Sequence, residues 1–369
     1  MGTQMMKLTM VVLIILLHNH NYYGVNGDPH DEVHGLFIFG DSLSDSGNNN
    51  NLLTMAKANY KPYGIDFPNA ITPTGRFTNG RTVVDVLGQL LGLDHYIPPF
   101  ANTTGYNITH GVNYASGSAG ILQETGKILG DCISLEKQID NHQITISKIK
   151  NKYNHKFTIS QINYHLKMKC IYHITIGNND YILNYLLPKI YNTSSLYTPQ
   201  QYAKLLIQKY EYQILRLYNN NARKVVLAGI GQIGTSPAII DLYGKKTGVD
   251  KVNNLIQIFN KKLKSLVYKL NTKFSDAKFI FVNTFQMHSS DDLSSLGFTN
   301  FNETCCPTTS IGFCIPSSTT CKNRTSYVFW DKVHPSETLN KYTATRSYTS
   351  LHASDNYPID IKQLAQLRL

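Results

Sequence analysis

The chain has 369 residues, of which 42% are hydrophobic and 16% are charged. This is an ordinary globular composition, so the chain can bury a sizeable core and is not expected to be disordered. The formal net charge is +11, but the lysines are scattered along the chain, which argues against a nucleic-acid partner.

The amino terminus has the pattern of a secretory signal peptide. Lys7 precedes an apolar run over residues 8–17, and the small residues Gly24 and Gly27 follow it. The run is shorter than the ~20 apolar residues that a membrane span needs, so cleavage near Gly27 is favoured over an uncleaved anchor or a buried helix. We therefore expect a signal peptide over residues 1–27 and a secreted, extracellular chain with no transmembrane segment after cleavage.

Glycosylation sequons agree with export. They begin at Asn102, Asn107, Asn192, Asn302 and Asn323, and none has proline at its middle position. A single sequon can arise by chance, but the set together with an export signal predicts a glycoprotein in the apoplast or cell wall.

The cysteines also indicate an oxidising compartment. They are Cys132, Cys170, Cys305, Cys306, Cys314 and Cys321. An even number in an exported chain predicts disulfides, and six cysteines allow fifteen pairings that the sequence cannot rank. The spacing of the last four matches no common zinc-binding pattern, so we expect disulfides and no metal.

Short β-branched or aromatic runs alternate with helical patterns along the chain. Buried strands are predicted at 36–39, 171–176, 225–228 and 279–282, and helices at 83–91, from Thr198 onward and at about 253–270. This alternation predicts one α/β domain over residues 28–369, with a mainly parallel sheet between helices. The Ser/Thr/Asn-rich segment 289–325 is expected to be a long loop that its four cysteines brace.

A serine follows the first predicted strand directly, in the string Phe39-Gly40-Asp41-Ser42-Leu43. The carboxyl end of a parallel sheet is where open α/β folds bind ligands. Glycine allows a sharp turn there, so that the Ser42 hydroxyl can face a cleft and its N–H can face an oxyanion. The Gly-x-Ser-x-Gly pattern of common α/β-hydrolases is absent around Ser42. Taken alone, Ser42 could equally be a helix N-cap.

A nucleophilic serine needs a base that a carboxylate orients. Asp331 and His334 are three residues apart, so the carboxylate can reach Nδ1 of the ring and leave Nε2 for the serine. The alternative base is His288, which has Asp291 three residues further on but no predicted strand end beside it. We therefore favour His334.

Two further segments can supply an oxyanion hole. The small-residue turn at 113–120 allows backbone N–H groups to approach a substrate closely. The strand end at 174–180 delivers a side-chain amide to the same edge of the sheet. Glycine turns are common and Asn-Asn-Asp can be a simple turn, but four such segments at successive strand ends together indicate an active site.

These segments resemble those of the plant GDSL esterase/lipase family, part of the SGNH hydrolase superfamily, over nearly the whole mature chain. The family's nucleophile motif is matched by residues 40–43, its oxyanion glycine by Gly117, its Gly-x-Asn-Asp motif by residues 177–180, and its Asp-x-x-His motif by Asp331 and His334. Residues 76–81 and 357–360 are also similar to family members.

The resemblance implies a single flavodoxin-like α/β/α sandwich without a metal or cofactor. It implies a serine esterase or lipase with Ser42, Asp331 and His334 as catalytic residues, and an oxyanion hole of Ser42, Gly117 and Asn179. The substrate is then a small-molecule, lipid or polysaccharide ester. Two alternatives stay open: an acyltransferase that uses an alcohol acceptor at the same site, and a non-catalytic secreted binding glycoprotein. The chain departs from many relatives at 231–235, where it lacks a Gly-Pro-x-Gly-Cys motif.

Overall fold

The computed structural model describes residues 33–369 except 70, 154 and 246. The predicted signal peptide lies outside the described residues. The strands are β1 (Gly35–Gly40), β2 (Cys170–Thr175), β3 (Lys224–Ala228), β4 (Lys278–Val282), β5 (Asn300–Thr304), β6 (Tyr327–Phe329) and β7 (Asn356–Tyr357). The main sheet has the order β1-β2-β3-β4-β7, and β5 pairs with β6. Strands β1 to β4 are parallel, and β7 runs antiparallel to β4.

The register brings the carboxyl ends of the four parallel strands to one level. Gly40 lies opposite Thr175, Thr175 opposite Ala228, and Ala228 opposite Val282. Segment 112–116 extends the sheet beyond β1, where Ile38 N–H donates to the Val112 carbonyl at 3.0 Å. The segments that follow β1, β2, β3 and β4 are therefore neighbours in space.

Helices cover both faces of the sheet. Those of six or more residues are α1 (Val83–Leu90), α2 (Leu135–Tyr153), α3 (Ile159–Met168), α4 (Pro199–Asn219), α5 (Pro237–Tyr243), α6 (Thr247–Lys273), α7 (Ser290–Ser295), α8 (Glu337–Tyr348) and α9 (Ile361–Gln366). Alternate strand side chains pack against α2, α4 and α6 on one face and against α1, α8 and α9 on the other. This three-layer arrangement confirms the predicted α/β fold with a mainly parallel sheet.

The predicted elements agree with the structure except in the region after β4. All four predicted strands are present, and α4 begins after Thr198, whose hydroxyl accepts the Gln201 N–H as a helix cap. Helix α6 is longer than predicted. The expectation of a continuous loop over 289–325 is wrong, because α7 and β5 lie within it and β5 pairs with β6.

Disulfides join Cys305 to Cys321 and Cys306 to Cys314. The expectation that all the cysteines pair is wrong, because Cys132 and Cys170 are free and buried. Cys170 begins β2 in the fully buried core, where its thiol packs as a small apolar group.

Candidate active site

The structure brings Ser42, His334 and Asp331 into contact, although Ser42 is separated from the other two by most of the chain. Ser42 Oγ lies 2.8 Å from His334 Nε2, and His334 Nδ1 lies 2.7 Å from Asp331 Oδ2. Because Nδ1 faces a carboxylate, it carries the ring proton, and Nε2 accepts from the Ser42 hydroxyl. The imidazole is thus in the tautomer that can take the serine proton.

Asp331 is fixed by donors besides His334. Its Oδ1 accepts the backbone N–H groups of Val333 at 2.8 Å and of His334 at 2.7 Å. Its Oδ2 accepts the Tyr63 hydroxyl at 2.6 Å. Asp331 is fully buried, and these bonds supply the donors that a buried carboxylate needs.

The nucleophile turn is held by Gln138 of α2. Gly40 N–H donates to Gln138 Oε1 at 2.9 Å, and Gln138 Nε2 donates to the Gly40 carbonyl at 2.8 Å. A Cβ at Gly40 would stand 2.4 Å from the Thr175 carbonyl oxygen, so the close approach of β1 and β2 requires glycine. This contact orients the chain immediately before Ser42.

Asp41 links the nucleophile turn to the segment after β2. Its Oδ1 accepts the Leu43 N–H at 3.0 Å, and its Oδ2 accepts the Asn178 amide at 2.9 Å. Burial raises the pKa of Asp41 to about 6, although these two hydrogen bonds act in the opposite direction. Asp41 therefore positions the residues on either side of the cleft.

Residues 76–81, noted in the sequence as a family-like motif, clamp the loop that carries His334. Thr78 Oγ1 donates to the Pro335 carbonyl at 2.9 Å, and Glu337 N–H donates to Asn79 Oδ1 at 2.7 Å. Arg81 Nε donates to the Glu337 carboxylate at 2.7 Å. The motif thereby fixes the start of α8, directly after His334.

Two aromatic rings flank the His334 imidazole. The Phe77 ring centroid lies 5.0 Å away, and the Phe313 ring lies 6.0 Å away and almost parallel, at 15°. His334 is only 3% exposed. The rings restrict the imidazole to the plane in which Nε2 meets Ser42.

The three predicted oxyanion donors differ in availability. The Ser42 N–H has no hydrogen-bond partner within the described part of the chain. The Asn179 amide donates one hydrogen to the Ala119 carbonyl at 3.0 Å, which leaves its second N–H for a ligand. The Gly117 N–H, predicted to face the oxyanion, instead donates to Asp45 Oδ2 at 2.9 Å. In this arrangement Gly117 is not a free donor.

Two buried aspartates, Asp45 and Asp180, to which the sequence analysis gave no role, tie these loops together. Besides Gly117, Asp45 accepts the N–H groups of Gly47 and Asn48, both at 2.7 Å. The sequence does contain a signal for this turn, since an aspartate two residues before a glycine favours a turn in which the carboxylate accepts backbone N–H groups. Burial raises the pKa of Asp45 to about 6.

Asp180 joins the segment after β2 to the loop at 121–125. It accepts the backbone N–H groups of Ile121 and Leu122 and the Thr125 hydroxyl, at 2.8 to 3.0 Å. Burial raises its pKa to about 7. Asp180 therefore positions the neighbouring Asn179.

The alternative base, His288, has a different partner from the one considered in the sequence. Its Nε2 lies 2.8 Å from Thr343 Oγ1, whereas Asp291 lies on an exposed turn of α7. Burial lowers the pKa of His288 to about 4. His288 is therefore neutral near pH 7 and is not paired with a carboxylate.

Ser42 opens onto a cavity of about 520 Å³. The cavity lies at the carboxyl edge of the sheet, and apolar atoms contribute most of the surface of its wall, although many polar side chains also line it. The apolar lining residues include Ile182, Val282, Leu293, Phe301 and Leu339. Among the described residues, no group of three or more His, Cys, Asp or Glu side chains is arranged to bind a metal ion.

Comparison with known proteins agrees with this geometry. The family model of the GDSL-like lipase/acylhydrolases matches residues 36–346. The chain belongs to the GDSL lipase/acylhydrolase family. Two Arabidopsis thaliana proteins named GDSL esterase/lipase are 46% and 44% identical to it over 94% and 97% of this chain, and 94% and 98% of their own. GDSL esterase/lipase 7 of the same plant is 41% identical over 98% of this chain and all of its own.

The predicted family and the predicted ester hydrolase are confirmed by these matches. The chain is a carboxylic ester hydrolase, and its family implies small-molecule esters as substrates. Of the helices that the structure describes, none has the length and apolarity to cross a membrane.

Four of the predicted glycosylation sites lie on the surface. Asn102, Asn107, Asn192 and Asn323 are exposed. Asn302 differs, because it is half-buried beside the cavity and its amide donates to the Thr235 carbonyl at 2.8 Å. A glycan at Asn302 would lie on the cavity wall. Glycosylation at all five positions stays a prediction.

Proposed function

We propose that this protein is a secreted serine esterase that hydrolyses carboxylic esters through an acyl-enzyme on Ser42. The observation that supports this most directly is the continuous contact from Ser42 through His334 to Asp331, with 2.8 Å and 2.7 Å between the bonded atoms. Serine, histidine and aspartate in this order form the arrangement that activates a hydroxyl nucleophile.

In the first step, Ser42 Oγ attacks the ester carbonyl carbon while His334 Nε2 takes its proton. Asp331, held by its backbone donors and Tyr63, stabilises the imidazolium that forms. The negative charge that develops on the carbonyl oxygen meets the Ser42 N–H and the second N–H of Asn179. Gly117 joins this hole only if its N–H turns away from Asp45.

In the second step, the C–O bond to the alcohol breaks, and His334 gives its proton to the departing alkoxide oxygen. Water then enters and attacks the acyl-enzyme while the same imidazole takes a proton from it. Collapse of the second tetrahedral intermediate returns the proton to Ser42 and releases the carboxylic acid.

Export is the second part of the proposal. Disulfides such as Cys305–Cys321 and Cys306–Cys314 persist in oxidising compartments and are rare in the cytosol. The sequons exposed on the surface and the leader-like residues 1–27 agree with this. We propose a mature chain of residues 28–369 in the apoplast or cell wall.

An active-site probe tests the mechanism. We expect a fluorophosphonate to label Ser42 and Ser42→Ala to abolish both labelling and ester hydrolysis while the protein stays folded. Ser46→Ala is the matched control, because the Ser46 hydroxyl lies in the same loop and has no hydrogen-bond partner in the described part of the chain. Labelling of a different serine, or hydrolysis by Ser42→Ala, would refute the assignment.

A further inference from the structure

We propose that the end of α2 and the helix α3 that follows it form a docking surface for an acidic polysaccharide, which holds the protein on a polyuronate at the edge of the sheet opposite Ser42. The surface, here called the basic end, consists of Lys148, Lys150, Lys152, Lys156 and Lys167. The inference rests on the export part of the proposed function, because carboxylated polysaccharides are extracellular polymers. It does not depend on hydrolysis by Ser42.

Positive and negative charges are unevenly distributed around α2 and α3. Residues 141–179, between Asp140 and Asp180, contain no Asp or Glu, and no other stretch of the sequence is as long without one. The basic end lies within this stretch. In the described part of the chain, the lysines that form ion pairs lie elsewhere, at Lys137, Lys269, Lys332 and Lys341. The ammonium groups of the basic end therefore have no carboxylate partner among the described residues.

The lysines of the basic end reach solvent. Lys148, Lys152 and Lys156 are exposed, and the other two are partly exposed. Lys148 and Lys152 are four residues apart, so they are neighbours on one side of α2, where two like charges repel each other. A ligand with carboxylates at regular intervals replaces this repulsion by attraction, because each carboxylate can lie between two ammonium groups.

The basic end lies at the opposite edge of the sheet from the nucleophile. Near the start of α2, Gln138 bonds to Gly40 at the carboxyl end of β1. At the other end of α2, the Tyr153 hydroxyl donates to Asn107 Oδ1 at 2.9 Å, in the segment that packs against Gly35 at the start of β1. At about 1.5 Å per residue, the helix spans about 22 Å between Gln138 and Tyr153. A polymer bound at the basic end therefore leaves the catalytic cavity open.

Exposed aromatic rings accompany the lysines. Ile162 and Leu166 of α3 are buried in the core, which turns Tyr164 and Lys167 outward. Tyr164 is 56% exposed, and Phe157 in the turn before α3 is 50% exposed. A ring with one face in water suits a sugar, whose C–H groups can pack on that face while its carboxylate meets a nearby ammonium group.

The arrangement favours a flexible polymer over a flat anionic membrane. A helix that lies in a membrane surface needs a continuous apolar face, whereas the apolar face of α3, with Ile162 and Leu166, is turned into the core. Lys148 and Lys150 project from nearly opposite sides of α2, since residues two apart on a helix are rotated by about 200°. A polymer chain can wind past both lysines, but a planar bilayer can meet only one side.

Binding to polygalacturonate tests the inference on the wild-type protein. We expect the protein to bind immobilised polygalacturonate at about 0.02 M salt, and to bind at least tenfold more weakly at about 0.3 M salt, where the screening length is below about 8 Å. A neutral galactan should not bind. Absence of binding at low salt, or tighter binding to vesicles of phosphatidylserine and phosphatidylcholine than to polygalacturonate, would overturn the inference.

A triple variant locates the surface. Lys148→Gln/Lys152→Gln/Lys156→Gln removes three charges from the basic end and leaves the buried side of α2 unchanged. A lysine near an anionic surface typically contributes about fivefold to affinity, so we expect the triple variant to bind polygalacturonate at least tenfold and up to about a hundredfold more weakly than the wild type.

The matched control removes the same charge from another part of the surface. Lys245→Gln/Lys251→Gln/Lys261→Gln replaces three exposed lysines that lie on α6 or just before it. This variant should keep its affinity for polygalacturonate within about threefold of the wild type, because more than a screening length separates these lysines from the bound polymer. Equal losses in the two triple variants would mean that net charge alone causes binding, and would overturn the assignment to the basic end.

Ester hydrolysis by the bound protein separates docking from catalysis. We expect the kcat/KM for p-nitrophenyl acetate to be unchanged by polygalacturonate and by both triple variants, because the basic end and Ser42 lie at opposite edges of the sheet. Competitive inhibition by the polymer would place it at the cavity and overturn the inference. A failure of Ser42 to act as the nucleophile would leave the binding results unaffected, so failure of docking and failure of the proposed esterase are distinguishable.

Discussion

The Tyr63 hydroxyl donates a hydrogen bond of 2.6 Å to Asp331 Oδ2, the same oxygen that lies 2.7 Å from His334 Nδ1. Tyr63 is fully buried, and burial together with the Asp331 carboxylate raises its pKa well above its ordinary value. It therefore stays protonated and always donates. The Cys314 N–H donates to the Tyr63 oxygen at 3.1 Å and fixes its orientation. Tyr63 is a positioning residue for the catalytic carboxylate.

Tyr63→Phe should change the pH profile as well as the rate. The variant removes a hydrogen-bond donor from the buried Asp331 carboxylate. Because the carboxylate then keeps more of its negative charge for His334, it stabilises the protonated imidazolium more strongly. We expect the acid limb of kcat/KM to move to higher pH. Loss of a hydrogen bond to a charged group should also lower the free energy of unfolding by about 1.5 to 3 kcal/mol.

Tyr60→Phe is the matched control for this prediction. The Tyr60 ring packs edge-on against Tyr63, with 5.3 Å between centroids, but its hydroxyl donates to the Cys314 carbonyl and not to Asp331. Tyr60→Phe should lower the free energy of unfolding and leave the pH profile of kcat/KM unchanged. If the pH profile of kcat/KM does not shift in Tyr63→Phe, Tyr63 contributes only packing and does not position Asp331.

Asn179→Ala should slow catalysis with little change in KM. The charge on the substrate oxygen develops only during attack, so a donor aimed at it stabilises the transition state more than the bound ester. Loss of one such donor typically lowers kcat by about 10² to 10³, or about 2.7 to 4 kcal/mol. The bond to Ala119 is lost as well, so a decrease of about 1 kcal/mol in the free energy of unfolding should accompany it.

Asn184→Ala separates the loss of an oxyanion donor from a loss of stability. Asn184 is buried a short distance along the same segment and donates to the Thr125 hydroxyl, but it does not line the cavity at Ser42. Its replacement should lower stability and leave kcat near the wild-type value. A normal kcat in Asn179→Ala would remove Asn179 from the oxyanion hole.

What could be predicted from the sequence depended on distance along the chain. Asp331 and His334 are three residues apart, and Ser42 directly follows a strand, so local patterns sufficed for them. Tyr63 and Asp331 are 268 residues apart, and Asp45 and Gly117 are 72 apart. No periodicity or spacing encodes such contacts, because they arise only when the strands align and bring distant loops to one edge of the sheet.

Asp41, Asp45 and Asp180 should contribute stability that is present at low pH and is lost as the pH rises through about 6 to 7, whereas the buried His142, His173 and His288, whose pKa values are lowered, contribute in the opposite direction below about pH 6.5. Burial raises the pKa values of Asp41 and Asp45 to about 6 and that of Asp180 to about 7, from 3.8. Between 3.8 and these values the three carboxyls bind more protons in the folded state than in the unfolded state, so their contribution to the free energy of unfolding declines as the pH rises through this window. At about 1.4 kcal/mol per pKa unit, each carboxyl contributes on the order of 3 to 4 kcal/mol over its full window.

Asp45→Asn tests this dependence at one position. Asparagine cannot ionise, so the slope of the melting temperature against pH should become more positive than that of the wild type between about pH 4 and pH 6. Asp85 provides the contrast: desolvation raises its pKa, but the ion pair with Arg76 and the hydrogen bonds from Arg76 and Thr82 together lower it below 3.8. Asp85→Asn should therefore leave the slope between about pH 4 and pH 6 nearly unchanged and alter it only below about pH 4. A difference in melting temperature between Asp45→Asn and the wild type that does not change with pH would contradict the raised pKa of Asp45.

Opening the disulfide Cys306–Cys314 should reduce activity as well as stability. The loop that it closes carries Phe313, which stacks on the His334 ring, and Cys314, whose N–H orients Tyr63. Loss of a native disulfide typically costs about 2 to 5 kcal/mol. In the double variant Cys306→Ser/Cys314→Ser, we expect lower kcat even at temperatures where the protein is folded, because both groups lose their fixed positions.

The second disulfide provides the comparison. Cys305–Cys321 closes a neighbouring and longer loop. In the part of the chain that the structure describes, neither cysteine hydrogen-bonds to Tyr63 or His334, whereas Cys314 bonds to Tyr63 and Phe313 stacks on His334. Cys305→Ser/Cys321→Ser should lower the melting temperature by a similar amount and reduce kcat less. Equal losses of kcat in both double variants, measured well below their melting temperatures, would mean that the Cys306–Cys314 loop acts on catalysis only through global stability.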